Sequence, residues 1–135
     1  MRAEGTFAVV RFDAAPVELR PAIETALPVG VATMEKRYEG GVEGRSATIF
    51  TSAFDPAAGV GTYVALESFE GSVAGRSGAF VYVHSATTAG ADRSHEFFLL
   101  VPHSGTGELT GITGGGGLGV DGDGTHRFWL DYELP

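Results

Sequence analysis

The 135-residue chain contains no cysteine, only one lysine, Lys36, and no apolar run approaching the roughly 20 residues that span a bilayer. Each absence removes a class of function. Without cysteine there are no disulfides, no thiol chemistry and no thiolate metal sites. Nine basic residues stand against seventeen acidic ones, for a formal net charge of −8. That balance disfavours nucleic-acid backbones and anionic membrane surfaces, both of which call for clustered Lys and Arg. The first residues, Met1-Arg2-Ala3-Glu4-Gly5, show no apolar stretch of signal-peptide length. With the missing cysteines, this reads as a cytoplasmic protein.

What is present is hydrophobic residues at 43%, charged residues at 19%, and 21 glycines: one globular domain, residues 1–135, with many tight turns. Most segments alternate apolar and polar residues, are rich in Val, Thr, Phe and Tyr, and are separated by glycine-containing turns. The pattern predicts strands at Thr6–Phe12, Gly30–Tyr38, Ser46–Phe54, Thr62–Phe69, Ala79–Thr87, Ser94–Val101, a short piece near Leu109–Thr113, and Thr125–Leu134. Pro16, Pro21 and Pro28 make Ala15–Leu27 an irregular connection rather than a helix. The expected fold is all-β, a closed antiparallel barrel of about eight strands.

Tyr38-Glu39-Gly40-Gly41-Val42-Glu43-Gly44-Arg45-Ser46 recurs as Phe69-Glu70-Gly71-Ser72-Val73-Ala74-Gly75-Arg76-Ser77, which predicts one hairpin used twice, turning at each Gly-Arg pair. A turn centred on Gly75-Arg76 sets Glu67 opposite His84. Sliding it one residue toward Ala74 sets Glu67 opposite Tyr82 instead. Either register keeps Glu67, Tyr82 and His84 on one face with Tyr63, Phe69 and Phe80, the face expected to line the interior. The repeat also maps Lys36 onto Glu67. On the strand Ser46–Phe54, alternation points Thr48, Phe50, Ser52 and Phe54 inward, whereas the repeat points Ile49, Thr51 and Ala53 inward.

A set of short pieces along nearly the whole chain is similar to a family of small bacterial proteins catalogued as domain of unknown function family 3224. The pieces are Gly5-Thr6-Phe7, Lys36 with Tyr38, Leu66-Glu67 with Phe69, Gly75-Arg76-Ser77-Gly78 with Phe80, His84-Ser85, Val101-Pro102, Ser104-Gly105-Thr106-Gly107-Glu108-Leu109, Gly111-Ile112 with Gly114, and Leu130-Asp131-Tyr132. The resemblance implies an eight-stranded barrel similar to allene oxide cyclase, a fold also used by cyclases that work without a cofactor. It brings no assigned catalytic residues. The Asp92–His95 segment departs from the family pattern.

Glu67 and His84 are the candidate catalytic pair, since a carboxylate beside an imidazole holds one tautomer and raises ring basicity. Lys36, Tyr63, Phe69, Phe80 and Tyr82 are the candidate ligand-binding residues. The plainer reading of the same residues is a self-satisfied buried polar cluster, with Lys36 paired to a carboxylate. His95, His103 and His126 lack ligand spacing, so no metal is expected. Gly114-Gly115-Gly116-Gly117-Leu118-Gly119 contains a dinucleotide-type pattern without the strand–turn–helix it requires. Asp121–Thr125 lacks the glycine and glutamate of a calcium loop. Ser77 and Ser104 lie outside any nucleophile elbow. Trp129, Phe97 and Phe98 are candidates for core packing or for an apolar outer strip, along Ser94–Val101 and Thr125–Leu134, that would suit a homo-oligomer.

Two functional expectations follow. One is a barrel that binds a small apolar molecule, extended to a cofactor-free cyclase or isomerase. The other is a non-catalytic interaction or stress-related module with a solid barrel. Cofactors, nucleic acid and membranes are not expected as partners.

Overall fold

The computed structural model describes residues 1–135. Its strands are β1 (Arg2–Ala14), β2 (Val29–Gly40), β3 (Val42–Asp55), β4 (Val60–Val73), β5 (Arg76–Ala89), β6 (Asp92–Leu100), β7 (Thr113–Val120) and β8 (His126–Glu133). They form one antiparallel sheet in the order β6-β5-β4-β3-β2-β1-β8-β7, curled into a nearly closed barrel. β6 and β7 meet at the seam without a ladder between them, with the Phe98 carbonyl passing close to Gly115. No helix is long and apolar enough to cross a membrane.

Two expectations about the hairpins are corrected. The repeat does not make the same turn twice: the first copy reverses at Gly40-Gly41, where the Gly41 N–H donates to Glu4 O at 2.8 Å, and the second at Ala74-Gly75. Ala74 (φ 48) and Gly75 (φ 83) are both left-handed, the geometry of the turn type that matches strand twist. Gly44 of the first copy therefore lies mid-strand, opposite Gly71 of the second, in a row that continues to Gly78. The turn at Ala74-Gly75 also selects the slipped register, so Glu67 faces Tyr82, Phe69 faces Phe80, and His84 faces Ala65.

The third correction concerns the seventh strand. The stretch near Leu109–Thr113 holds a 3-10 turn at Gly107–Leu109 and runs into β7 only at Thr113. β7 itself is built on the glycine run. Glycine is a poor strand former in isolation, but this strand lies under bulky neighbours: a Cβ on Gly117 would come within 2.3 Å of the Trp129 ring, and one on Gly116 within 3.2 Å of Phe98. Trp129 is accordingly half-buried over β7, Phe98 packs inward and Phe97 is exposed.

On β3, alternation rather than the repeat gives the inward face, with Ser46 and Thr48 buried and Ile49 exposed. The two ends of the barrel differ. The lower end is filled by Val42, Phe69, Val73, Phe80, Tyr82, Leu100 and Phe128, and closed by Leu109 and Ile112 from the segment after β6. Aromatic edges interlock here: Phe69 lies 4.9 Å from Phe80, and Tyr38 meets Phe69 edge-on at 5.2 Å. The closing segment docks on the β5 edge by imitating a strand. Ser104 Oγ accepts from Val81 N–H (3.0 Å), Thr106 Oγ1 from Ala79 N–H (3.0 Å), and a Glu108 carboxylate oxygen from Ser77 N–H (3.1 Å). Ser104 is thus a structural hydroxyl, which also donates to Val101 O at 2.7 Å.

The upper end is open. β8 pairs with β1 only along Arg2–Phe7, whereas β2 accompanies β1 up to Ala14. Past Phe7 the outer edge of β1 has no ladder partner, and the 15–28 connection that follows is exposed almost throughout.

Candidate functional site

The interior carries two polar clusters, one deep and one at the open end. Inward positions on β2, β3, β4 and β5 bring Lys36, Tyr38, Ser46, Thr48, Glu67 and Tyr82 together. Lys36 Nζ donates to Glu67 Oε1 at 2.9 Å, and Thr48 Oγ1 donates to the same oxygen at 2.8 Å. The Tyr38 and Tyr82 hydroxyls are 2.7 Å apart, and Tyr38 also reaches Ser46 Oγ at 3.0 Å. Lys36 further sits 4.8 Å from the centre of the Phe7 ring. Burial, with the Glu67 charge next, holds the Tyr38 and Tyr82 phenols well above their usual range, so both stay protonated donors. Glu67 Oε2 is the one buried side-chain oxygen without a hydrogen-bond partner. The carboxylate joins β2, β3 and β4, the Tyr38–Tyr82 contact adds β5, and the cluster has the form of a register pin.

Glu67 and His84 share the interior but do not bond to each other. The imidazole finds a different carboxylate: His84 Nε2 lies 3.3 Å from Glu96 Oε2, and Nδ1 lies 3.1 Å from the Tyr63 hydroxyl. Arg93 Nη1 donates to Tyr63 Oη at 3.1 Å and to Glu96 at 3.4 Å. A neutral ring satisfies all of these at once, donating from Nε2–H to Glu96 and accepting from Tyr63 at Nδ1.

Sequence reasoning missed Arg93 and Glu96, and the reason is a β-bulge. Ser85 pairs with Phe97 but Thr87 pairs with Ser94, so His95 and Glu96 stand against Ala86 alone, with His95 at φ 52. Glu96 keeps the inward parity of Phe98, while the extra residue turns Arg93 onto the same side, opposite Thr88. Unbroken alternation would have sent Arg93 outward.

Above this cluster lies a cavity of about 350 Å³ lined by Phe12, Phe50, Ser52, Phe54, Tyr63 and Thr88. Phe50 stacks on Tyr63 at 5.2 Å and meets Phe12 at 5.9 Å. Of the candidate ligand-binding residues, Tyr63 lines this cavity, Phe69, Phe80 and Tyr82 belong to the packed core, and Lys36 is held by Glu67. Phe12, which the sequence did not single out, shares the inward face through its pairing with Met34. No group of three or more His, Cys, Asp or Glu side chains is arranged to hold a metal ion.

Burial pushes the Tyr63 phenol up to about 12, and the negative Glu96 adds to that against the opposing Arg93. Burial lowers His84 below its ordinary 6.5, outweighing the contacts from Glu96 that raise it; Arg93 lowers it further and Glu67 raises it slightly. The unfolded chain then binds this proton more readily than the folded one. His84 therefore contributes stability in full above pH 6.5, and that contribution is lost as the pH falls through the folded-state value. Urea midpoints measured from pH 8 to pH 5 should fall more steeply for the native chain than for His84→Gln. Parallel curves would show that the imidazole is not buried neutral.

The profile of the family described as "Protein of unknown function (DUF3224)" matches residues 3–132. No curated protein matches the chain. Among solved structures, a protein of unknown function from that family in Shewanella oneidensis MR-1 is similar over 100% of this chain and 97% of its own, at 27% identity and a TM-score of 0.85. The arrangement of closed lower end and open upper end described above is therefore that of a member of the DUF3224 family, to which this chain belongs.

Proposed function

We infer that the open end of the barrel binds a small, largely apolar molecule, oriented by the Tyr63 hydroxyl. The observation that carries this reading is the cavity of about 350 Å³, within the range of small-molecule sites, at the one end of the barrel that its own side chains leave unfilled. Phe12 and Phe54 are 58% and 50% exposed there, which is costly for aromatic side chains that nothing covers. Tyr63, kept protonated, presents a hydroxyl in a recess that also carries Ser52 and Thr88 among its aromatic walls, and His84 and Arg93 fix its direction.

The same pair supports a catalytic extension, a cofactor-free cyclase or isomerase. In it the Tyr63 hydroxyl turns its one proton from His84 Nδ1 to a ligand carbonyl and stabilises the negative charge developing there, while Arg93 donates to the same phenol oxygen. The dense packing of the lower half favours the other reading, a non-catalytic module whose barrel is a scaffold.

Consecutive residues on β3 provide the test, because Phe50 points into the cavity and Ile49 points outward. With the fluorescent probe 8-anilinonaphthalene-1-sulfonate, the native chain should bind one equivalent, and Phe50→Ala should weaken binding about tenfold. Ile49→Ala should leave it unchanged. Equal effects of the two substitutions, or none, would remove the open end as a ligand site.

A further inference from the structure

We propose that the free upper edge of β1 is a self-association site, at which two copies of this chain pair antiparallel about Phe12. Three observations converge on it. The first is the unpaired edge. Ala15 N–H donates to Val31 O at 2.9 Å across the β1–β2 ladder. Antiparallel partners bond at every second residue, so Arg11 and Asp13 turn their main-chain groups toward β2, while Phe12 and Ala14 turn theirs outward, where β8 no longer runs.

The second is apolar exposure along the same stretch of chain. Val9, Val10 and Phe12 on β1, then Val17, Leu19 and Ile23 on the following connection, are between 43% and 69% exposed. Neither lysine nor proline stands on the edge from Ala8 to Ala14; of the features that blunt such strands it has the charges Arg11 and Asp13 and the bulge between Val9 and Arg11.

The third observation selects the occupant. An antiparallel pair centred on Phe12 sets Arg11 of each copy opposite Asp13 of the other, twice over, on the outer face where both side chains are exposed. The strand is complementary in charge to itself in that register, as a two-fold interface requires. A partner of different sequence would not need this symmetry. Because Phe12 also lines the upper cavity, the second copy would wall the open side of that recess. The association itself does not depend on any ligand being bound there.

The test uses the full chain and two charge reversals. Sedimentation equilibrium of the native protein at micromolar concentration should give a dimer. Arg11→Asp places two aspartates against two aspartates, and Asp13→Arg places arginine against arginine, so each alone should raise the dimer dissociation constant about tenfold or more. Mixing the two variants should restore dimers, since every contact then joins Asp to Arg. Circular dichroism melts verify that each variant is folded. A monomeric native chain, as expected if the edge instead captures an extended segment of another protein, overturns the proposal. So does a dimer indifferent to both reversals, or a mixture that stays monomeric.

Discussion

Lys36→Met should lower the unfolding free energy by about 3 to 5 kcal/mol, because it strands the Glu67 carboxylate inside the barrel with only hydroxyl partners. Glu67 is fully buried and Lys36 is 6% exposed, so neither can turn to water when the other is removed. The Thr48 hydroxyl at 2.8 Å satisfies part of the carboxylate, but it cannot replace a cation at 2.9 Å. Glu67→Leu should cost a comparable amount by leaving the ammonium unpaired. Replacing both, Lys36→Met with Glu67→Leu, should cost much less than the sum, since the desolvation penalty of both ions disappears with their attraction. Urea denaturation of the four proteins completes the cycle. Strictly additive losses would mean that the pair is not coupled as the geometry requires.

Gly71→Ala should be destabilising by roughly 3 kcal/mol, at the upper end of what overpacking costs. A Cβ at Gly71 would lie 2.0 Å from the Glu43 carbonyl oxygen and 2.8 Å from the Gly44 Cα, with φ at 155°. These are backbone atoms on the neighbouring strand, and they cannot yield without opening the β3–β4 ladder. Gly30→Ala provides the control, because nothing lies within 4 Å of the added carbon and its φ is ordinary. It should shift stability by no more than about 0.5 kcal/mol. If denaturation midpoints for the two variants coincide, the glycine row is not where the sheet needs its closest backbone approach.

These two substitutions also mark where the sequence was readable. Aromatic content identified which side of β4 and β5 faces inward, since Phe69, Phe80 and Tyr82 fall on one parity whatever the turn and carry Glu67 with them. It could not choose between turns one residue apart, a choice made by the left-handed conformation that Ala74 shares with Gly75. The repeat was visible, but its meaning was not. Its glycines serve a turn in one copy and a close strand crossing in the other, and both uses select the same residue. β7 was hidden for a related reason, because the bulk of Trp129 lies on a different strand from the glycines that admit it. At the candidate site, Tyr63 and His84 were legible from their shared face, whereas Arg93 and Glu96 were not. No local pattern announces an extra residue against Ala86.

That extra residue gives the open end a particular kind of adaptability. The loss of His95 would let Glu96 pair with Ala86 alone and leave every other pairing of β6 with β5 as it is, Thr87 with Ser94 and Thr88 with Arg93 included. Arg93 and Glu96 would both keep the inward side, so the charged groups beneath the recess would survive the loss, while the plugged end of the barrel kept every contact. A deletion, normally the most disruptive change a strand can suffer, is thus absorbed at the one place where this strand already holds a residue to spare.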